Sequence, residues 1–350
     1  MWKVFPFVLA LLAAGQATAA PLDARCSDGS TDMRERIAGC TAIIEGGEYL
    51  GRELSLAYSR RGHAYTLTRD LARAGADLDK AVQVDPSNVL AWTNRANYFY
   101  VAHKGEQAMR DANKAVELDP NLPLTYFVRA AAATRLEKYD LAIADYSEAI
   151  RLRPNFAQLY DLRGYAYHKK GDEDRAIADY DERLRREPDD VGTLLNRGDA
   201  RRNKKDYAAA AEDYSNAIKL SPDSPGGYRG RGFVRLVMQD FKGSREDFDQ
   251  AIKLQPNLPE LYSNRGSALA MLGDKKLALA DYNTALRLEP GHPINHVNRA
   301  MLLSEMGDRA GAMAGIRKAL AIAPDFPPAL EQLKKIEAKP SEPKKQAASK

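Results

Sequence analysis

The apolar side chains of residues 55–326 recur with the spacing of two short helices in every 34 residues. Within each 34-residue unit, positions 4, 8 and 11 form one apolar stripe, and positions 20, 24 and 27 form a second. Steps of three and four residues are typical of a helix with one buried face. A turn signal separates the stripes, as at Gly171–Asp172 and Gly273–Asp274. The pattern therefore predicts an antiparallel pair of helices in every unit.

A proline near the end of each unit sets the register. Proline ends the second helix because it has no backbone N–H to donate and because it displaces the preceding residue from the helical region. These prolines are Pro86, Pro120, Pro154, Pro188, Pro222, Pro256, Pro290 and Pro324. With proline at position 32, the units begin at Ser55, Val89, Pro123, Ala157, Val191, Pro225, Pro259 and Pro293. Such a fixed period predicts stacked repeats, in which neighbours bury the stripes that one helix pair leaves exposed.

Small and large residues occupy fixed positions of the repeat. Position 8 is Gly62, Ala96, Ala130, Gly164, Gly198, Gly232, Gly266 and Ala300. Position 27 is alanine in seven repeats, and Arg183 is the exception. Large residues stand at position 24, as Tyr146, Tyr180, Tyr214, Phe248 and Tyr282. Small against large residues at helical spacing predict two helices that cross closely.

The length, the proline and the small positions resemble the tetratricopeptide repeat (TPR) family over residues 55–326. The copy from Tyr262 to Pro290 shows the resemblance most clearly. It implies an all-α fold, a right-handed α-solenoid of eight helix-turn-helix repeats, and a scaffold that binds other proteins without chemistry of its own. The expected repeats are residues 55–88, 89–122, 123–156, 157–190, 191–224, 225–258, 259–292 and 293–326.

The first twenty residues are typical of a secretory signal peptide. Lys3 provides the positive charge, Val4–Ala14 the apolar stretch, and Ala17–Ala19 the small residues of a cleavage site. The apolar stretch is too short to span a bilayer core of about 30 Å. We therefore expect an exported protein, periplasmic in a Gram-negative host, without stable membrane insertion after cleavage.

Residues 21–54 are predicted to form a degenerate half repeat held by a disulfide. Cys26 and Cys40 are the two cysteines of an exported chain, where a structural disulfide forms and persists; two inert thiols are the alternative. A helix is predicted from about Met33 to Glu45. At the other end, residues 327–338 are predicted to form a capping helix, with Leu330, Leu333 and Ile336 facing inward, followed by a disordered basic tail at residues 339–350.

Composition and charge argue against several functions. The net charge is +4, and Lys3 with residues 339–350 accounts for the whole excess, so the body is close to neutral, which argues against a dedicated nucleic-acid binder with its clustered basic face. The five histidines have no metal-ligand spacing, and no cysteine–histidine cluster occurs. No isolated carboxylate pair stands out as an acid/base dyad. The sequence predicts neither an enzyme nor a cofactor.

Arginine occupies position 7 in all eight repeats, and aspartate occupies position 23 in seven. We call the position-7 arginines the arginine ladder and the position-23 aspartates the ladder aspartates. The ladder suggests either an anion-binding surface or structural Arg–Asp pairs. The eighth repeat has Gly315 instead of aspartate, and the capping helix has Leu333 where the next arginine would fall. This favours pairing of each aspartate with the arginine of the following repeat, although pairing within one repeat is compatible with the same observation.

In the TPR family, positions 2, 5, 9, 12 and 13 of the first helices line a concave groove. These positions vary here, and we expect them to bind a ligand through aromatic and cationic side chains, which dominate many interfaces; an ordinary solvated helix face is the alternative. The candidate residues are Asn97, Tyr100, Phe127, Arg135, Tyr165, His168, Lys169, Arg202, Arg229 and Phe233. The family's carboxylate clamp is not expected, because no lysine stands at position 5.

The leading hypothesis is a scaffold in the cell envelope that binds a protein or peptide segment with apolar anchors and acidic residues. One alternative is an assembly or spacer protein that uses its ends or its convex face. Another is an anion- or carbohydrate-binding solenoid that uses the arginine ladder.

Overall fold

A computed structural model describes Cys26 and residues 32–338. The predicted signal peptide and the predicted tail lie outside the described residues. The chain divides into two compact units after Pro188. The first unit contains the first four helix pairs and the second unit the last four, and each is described by itself.

The described residues form eighteen α-helices and no strand. The first unit contains α1 (Met33–Gly46), α2 (Gly51–Leu67), α3 (Leu71–Val84), α4 (Val89–Val101), α5 (Gly105–Leu118), α6 (Pro123–Arg135), α7 (Tyr139–Leu152), α8 (Gln158–Lys169) and α9 (Glu173–Arg186). The second unit contains α10 (Val191–Asn203), α11 (Tyr207–Leu220), α12 (Pro225–Val237), α13 (Phe241–Leu254), α14 (Pro259–Met271), α15 (Lys275–Leu288), α16 (Pro293–Glu305), α17 (Arg309–Ile322) and α18 (Pro327–Ala338). From α2 to α17, even numbers are first helices of the repeats and odd numbers are second helices.

A disulfide between Cys26 and Cys40 holds the start of the first unit. Both cysteines are buried with Ile43 in a small apolar cluster that includes side chains of α2. The Asp32 carboxylate caps α1 by accepting from the backbone N–H of Arg34 at 2.7 Å. The terminal helix is thus fixed by a covalent bond, a cap and apolar contacts with the first repeat.

The two helices of a repeat cross where position 8 is small. A Cβ atom on Gly164 would lie 2.9 Å from Cε1 of Tyr180, and one on Gly198 would lie 2.8 Å from Cε1 of Tyr214. Carbon atoms do not approach so closely, so each ring at position 24 fills the space that glycine leaves. The predicted fit of small against large residues is confirmed at these repeats.

Each second helix also packs against the first helix of the next repeat in its unit, and most successive first helices contact each other. Each unit is therefore an α-solenoid, in which a helix pair buries its apolar stripes against its sequence neighbours. The side on which successive first helices meet is called the inner face below.

The turns between the two helices of a repeat use left-handed backbone even without glycine. Gly171, Gly273 and Gly307 have φ between 78° and 88°. The other turns place larger residues in this region, namely Arg69, His103, Glu137, Lys205 and Gln239. A side chain in this region costs roughly 1–2 kcal/mol. The Gly–Asp turn signal is therefore present in only some repeats although the turn recurs.

The second unit ends in α18, as the sequence predicts. Ile336 is buried and Leu333 packs against the core that α16 and α17 form. Leu330 is 38% exposed, so its predicted inward position is wrong. Its neighbour Ala329 occupies the buried position instead.

Candidate interaction surface on the first helices

The arginine ladder pairs within each repeat. Nε and Nη2 of Arg129 donate to the two carboxylate oxygens of Asp145, both at 2.7 Å. Each of the other six aspartates at position 23 forms a salt bridge with the arginine of its own repeat. The expected pairing with the arginine of the following repeat is therefore wrong. It fails because position 7 faces the second helix of its own repeat, sixteen residues on. The hydrogen bond to Asp145 raises the pKa of Arg129, so the pair stays charged.

Many ladder arginines also reach back to position 25 of the preceding repeat. Nη1 of Arg163 donates to Ser147, and that of Arg231 donates to Ser215, each at 3.0 Å. Arg299, whose own repeat lacks the aspartate, donates to Asn283 at 2.7 Å. An arginine of this kind holds two second helices in register. The ladder is consequently part of the framework, with its guanidinium groups already engaged.

In two repeats of the second unit, the aspartate at position 23 pairs with a second arginine. Asp213 accepts from Arg197 and Arg201, and Asp247 accepts from Arg231 and Arg235. The additional cations lie at position 11, where most other repeats have an apolar or aromatic residue. They strengthen the framework and add no exposed binding group.

A cavity of about 190 Å³ opens on the inner face of the first unit. Its lining comes from three successive repeats and consists of Tyr100, Ala131, Thr134, Arg135, Tyr146, Leu162 and Tyr165. Burial strongly raises the pKa of Tyr146. The Thr134 hydroxyl donates to the carbonyl oxygen of Ala130 at 2.8 Å. The cavity presents mainly carbon atoms.

Two cations stand at the rim of this cavity. The Arg135 guanidinium lies 4.5 Å from the centre of the Tyr100 ring, and Nζ of Lys169 lies 5.4 Å from the centre of the Tyr165 ring. Arg135 also donates to Nδ1 of His103 at 2.7 Å. Across residues 32–338, no carboxylate forms a salt bridge with either cation. Stacking on aromatic rings holds both charges in place without neutralising them.

Three other predicted residues of the first unit do not form this surface. Phe127 is 1% exposed and packs edge-on against Tyr146, so its placement in the groove is wrong. Asn97 is also buried, because the first helices of these repeats pack closely at its position. His168 turns toward the second helix, with Nδ1 2.7 Å from the Glu173 carboxylate. Tyr100, Arg135, Tyr165 and Lys169 are the predicted residues that come together.

In the second unit, Arg202 and Phe233 are neighbours. The guanidinium lies 5.6 Å from the centre of the ring, and Phe233 is 37% exposed. Arg202 also pairs with Asp199 at 2.8 Å, and Asp199 accepts from the Tyr214 hydroxyl at 2.8 Å. Burial, together with this carboxylate, raises the pKa of Tyr214. Unlike Arg135, Arg202 is neutralised within the protein.

Arg229 lies apart from this pair. It is exposed, stands 3.9 Å from the carboxylate of Glu260, and borders a smaller cavity of about 100 Å³. The remaining lining of that cavity is Pro225, Gly226, Gln255, Leu258 and Leu261.

Exposed apolar side chains follow the first helices of the second unit. They occupy positions 9, 13 and 14 of three successive repeats, and we call them the apolar stripe: Phe233, Val237, Met238, Met271, Leu272, Met301 and Met306. Methionine adapts to irregular partners, and exposed apolar patches mark interaction surfaces.

Sequence reasoning missed the residues that form the cavity itself. Tyr146 was assigned to the framework, and Ala131, Thr134 and Leu162 were not singled out. The available signal is the small Ala131 at position 9, between Tyr100 of one repeat and Tyr165 of the next. A small residue between two large ones leaves a hole when the helices stack.

Two features are missing from the described residues, a cluster of metal ligands and a membrane-spanning helix. Within the described residues, no three histidine, cysteine, aspartate or glutamate side chains come together as metal ligands. No helix there has the length and apolar character needed to cross a bilayer. The inner faces offer aromatic, apolar and cationic contacts.

Family comparisons agree with the helix pairs. Models described as "TPR repeat" match residues 132–171 and 198–239. Models described as "Tetratricopeptide repeat" match residues 56–88, 157–190 and 259–292. No curated protein matches the sequence.

Solved structures share the fold at low identity. The Cut9–Hcn1 hetero-tetramer of the APC/C matches with a TM-score of 0.57 and 18% identity, over 87% of this chain and 59% of that one. This chain therefore spans less than two thirds of that relative. A tetratricopeptide repeat protein from Parabacteroides merdae matches with a TM-score of 0.57 and 19% identity, over 71% of this chain and 98% of that one. The C-terminal part of a TPR repeat-containing protein from Cytophaga hutchinsonii matches with a TM-score of 0.55 and 22% identity, over 69% of this chain and 99% of that one. The family models show that the chain carries tetratricopeptide repeats, and the solved structures share its fold.

Proposed function

We propose that this protein is a non-enzymatic scaffold of the cell envelope that binds a segment of a partner protein along the inner face of its first helices. TPR proteins are generally interaction scaffolds, and the disulfide is typical of an oxidising compartment. Export into the periplasm is part of this proposal and depends on the signal-like residues 1–20.

One observation carries the proposal. The ladder arginines are engaged by the framework, whereas Arg135 and Lys169 stand over tyrosine rings beside an apolar cavity, without a salt-bridged carboxylate in the described chain. Exposed cations next to an aromatic cavity suit a protein ligand. The engagement of the ladder removes the basis for the alternative in which it binds anions or carbohydrate.

Capture from an envelope extract tests the proposal. The immobilised parent protein is compared with Arg135→Ala/Lys169→Ala and with Arg110→Ala/Lys114→Ala, which removes the exposed Arg110 and the half-buried Lys114 of α5. Circular dichroism verifies that all three retain their helices. A partner kept by the parent and the α5 variant but lost by the inner-face variant supports the proposal. Equal capture by all three contradicts it.

A further inference from the structure

The cavity of the first unit has a size that limits what it can hold. An apolar cavity of roughly 150 Å³ accepts benzene. At about 190 Å³, this cavity accommodates one phenyl ring or one leucine side chain. Apart from Arg135 at its rim, the lining presents mainly carbon atoms and Thr134 donates its hydroxyl to Ala130, so a polar group inside the cavity would find few partners to replace its hydration. The cavity is therefore suited to a single apolar anchor.

The rim determines the charge of the residues next to that anchor. Arg135 has five N–H donors, and among the described residues its one hydrogen bond goes to His103. Its guanidinium lies over the Tyr100 ring and the side chain is exposed, so the remaining N–H groups are accessible to a carboxylate. Lys169 adds a second cation over Tyr165. These two residues belong to the repeat after that of Ala131, whereas Tyr100 belongs to the repeat before it. Charge complementarity therefore calls for carboxylates on the ligand.

We infer that this site binds an acidic segment of a partner protein, with one aromatic or leucine side chain in the cavity and flanking carboxylates on Arg135 and Lys169. The inference rests on the proposed function and makes it specific. The anchor supplies apolar burial, and the carboxylates supply charge-assisted hydrogen bonds. The cavity rejects polar anchors, and the rim repels basic segments.

Peptide binding to the full chain tests this directly. The probe is fluorescein-labelled Gly-Glu-Asp-Phe-Glu-Asp-Gly, measured by fluorescence anisotropy. One control peptide replaces the phenylalanine by serine, and a second replaces the four acids by lysine. We expect the probe to bind at least about tenfold more tightly than either control, the effect of one charge-assisted contact or one buried ring. Equal affinity for all three peptides overturns the inference.

Two variants locate the binding. Ala131→Leu adds a side chain to the cavity and should weaken probe binding about tenfold or more. Arg135→Ala should weaken it about fivefold or more, while the exposed Arg110→Ala should leave it unchanged. Circular dichroism checks that each variant is folded. Should the folded Ala131→Leu protein bind the probe as tightly as the parent, the cavity is not the site.

The capture and peptide-binding experiments distinguish a failure of this inference from a failure of the proposed function. Loss of partner capture in Arg135→Ala/Lys169→Ala, without any preference among the peptides, retains the scaffold function and rejects the acidic anchored segment. If the peptides bind selectively and Ala131→Leu abolishes this selectivity, while parent and inner-face variant capture the same proteins, the cavity is confirmed as a peptide site and the envelope scaffold is rejected.

Discussion

The two units build different inner faces on the same framework. In the first unit the opening first helices pack closely, position 9 is buried at His63, Asn97 and Ala131, and a cavity opens beside Ala131. In the second unit, position 9 is exposed at Phe233 and Met301. Of the thirteen large apolar residues exposed in the described chain, twelve belong to the second unit.

The cations differ in the same way. Arg135 stacks on a tyrosine without a salt-bridged carboxylate, whereas Arg202 stacks on Phe233 and is paired with Asp199. The first unit thus offers charge beside an apolar cavity, and the second offers an apolar stripe beside a neutralised arginine. The comparison teaches that the ladder and the small positions set the registry, while positions 9, 12 and 13 set the chemical character of each inner face.

The largest expected difference concerns the ladder. Arg129→Ala leaves Asp145, 4% exposed, without its cation and should cost about 3–5 kcal/mol of unfolding free energy. Arg231→Ala leaves Asp247 with Arg235 at 2.8 Å and should cost about 1–2 kcal/mol. Urea unfolding followed by circular dichroism measures both, with Arg110→Ala as the control. Equal losses would show that the second arginine does not compensate.

The two ends of the chain should also differ. Cys26→Ser/Cys40→Ser removes a disulfide that closes a loop of fourteen residues, which contributes roughly 3 kcal/mol. Because each repeat contacts its neighbours alone, the loss should be local. Hydrogen exchange should become faster in α1 and stay unchanged in α14–α18. Uniform acceleration through both units would contradict this nearest-neighbour description.

Substitutions in two turns of the second unit should change the stability less, and with opposite signs. Gln239 has φ of 65°, a region that glycine adopts without strain, so Gln239→Gly should stabilise by about 1 kcal/mol. Gly273 has φ of 88°, so Gly273→Ala should destabilise by about 1 kcal/mol. Thermal unfolding measures the pair. Destabilisation by both substitutions would show that the Gln239 side chain stabilises its turn.

The apolar stripe should show the smallest change in stability. Met271 is 63% exposed, so Met271→Glu should alter the unfolding free energy by no more than about 0.5 kcal/mol. It should nevertheless reduce the fluorescence of bound bis-ANS, a dye for exposed apolar surface. Lys114→Glu, on α5 of the first unit, is the control and should leave the dye signal unchanged. Equal dye signals for both variants would show that the stripe is not the apolar surface.

Most of the fold could be predicted from the sequence. The helix pairs follow from the period of the prolines and from small residues such as Gly164 and Gly198, which leave space for the rings of Tyr180 and Tyr214. These features repeat, so each copy supports the others. The partner of each ladder arginine could not be determined, because Gly315 is compatible with both pairings.

The site was less predictable because it depends on how closely neighbouring repeats approach. Position 5 is exposed at Arg229 but buried at Phe127, although both occupy the same register. The cavity arises from one small residue, Ala131, between larger neighbours of other repeats. Such a hole is a property of packing between repeats and has no period of its own.

Site-specific photo-crosslinking tests most directly whether the inner face of the first unit holds the partner segment. The photoreactive p-benzoylphenylalanine replaces Tyr165 in the first unit, Phe233 in the second unit, or Lys114 on α5. We predict that a partner from the envelope extract crosslinks at Tyr165 and that excess Gly-Glu-Asp-Phe-Glu-Asp-Gly peptide suppresses this crosslink. Crosslinking at Lys114 without any at Tyr165 would contradict the account.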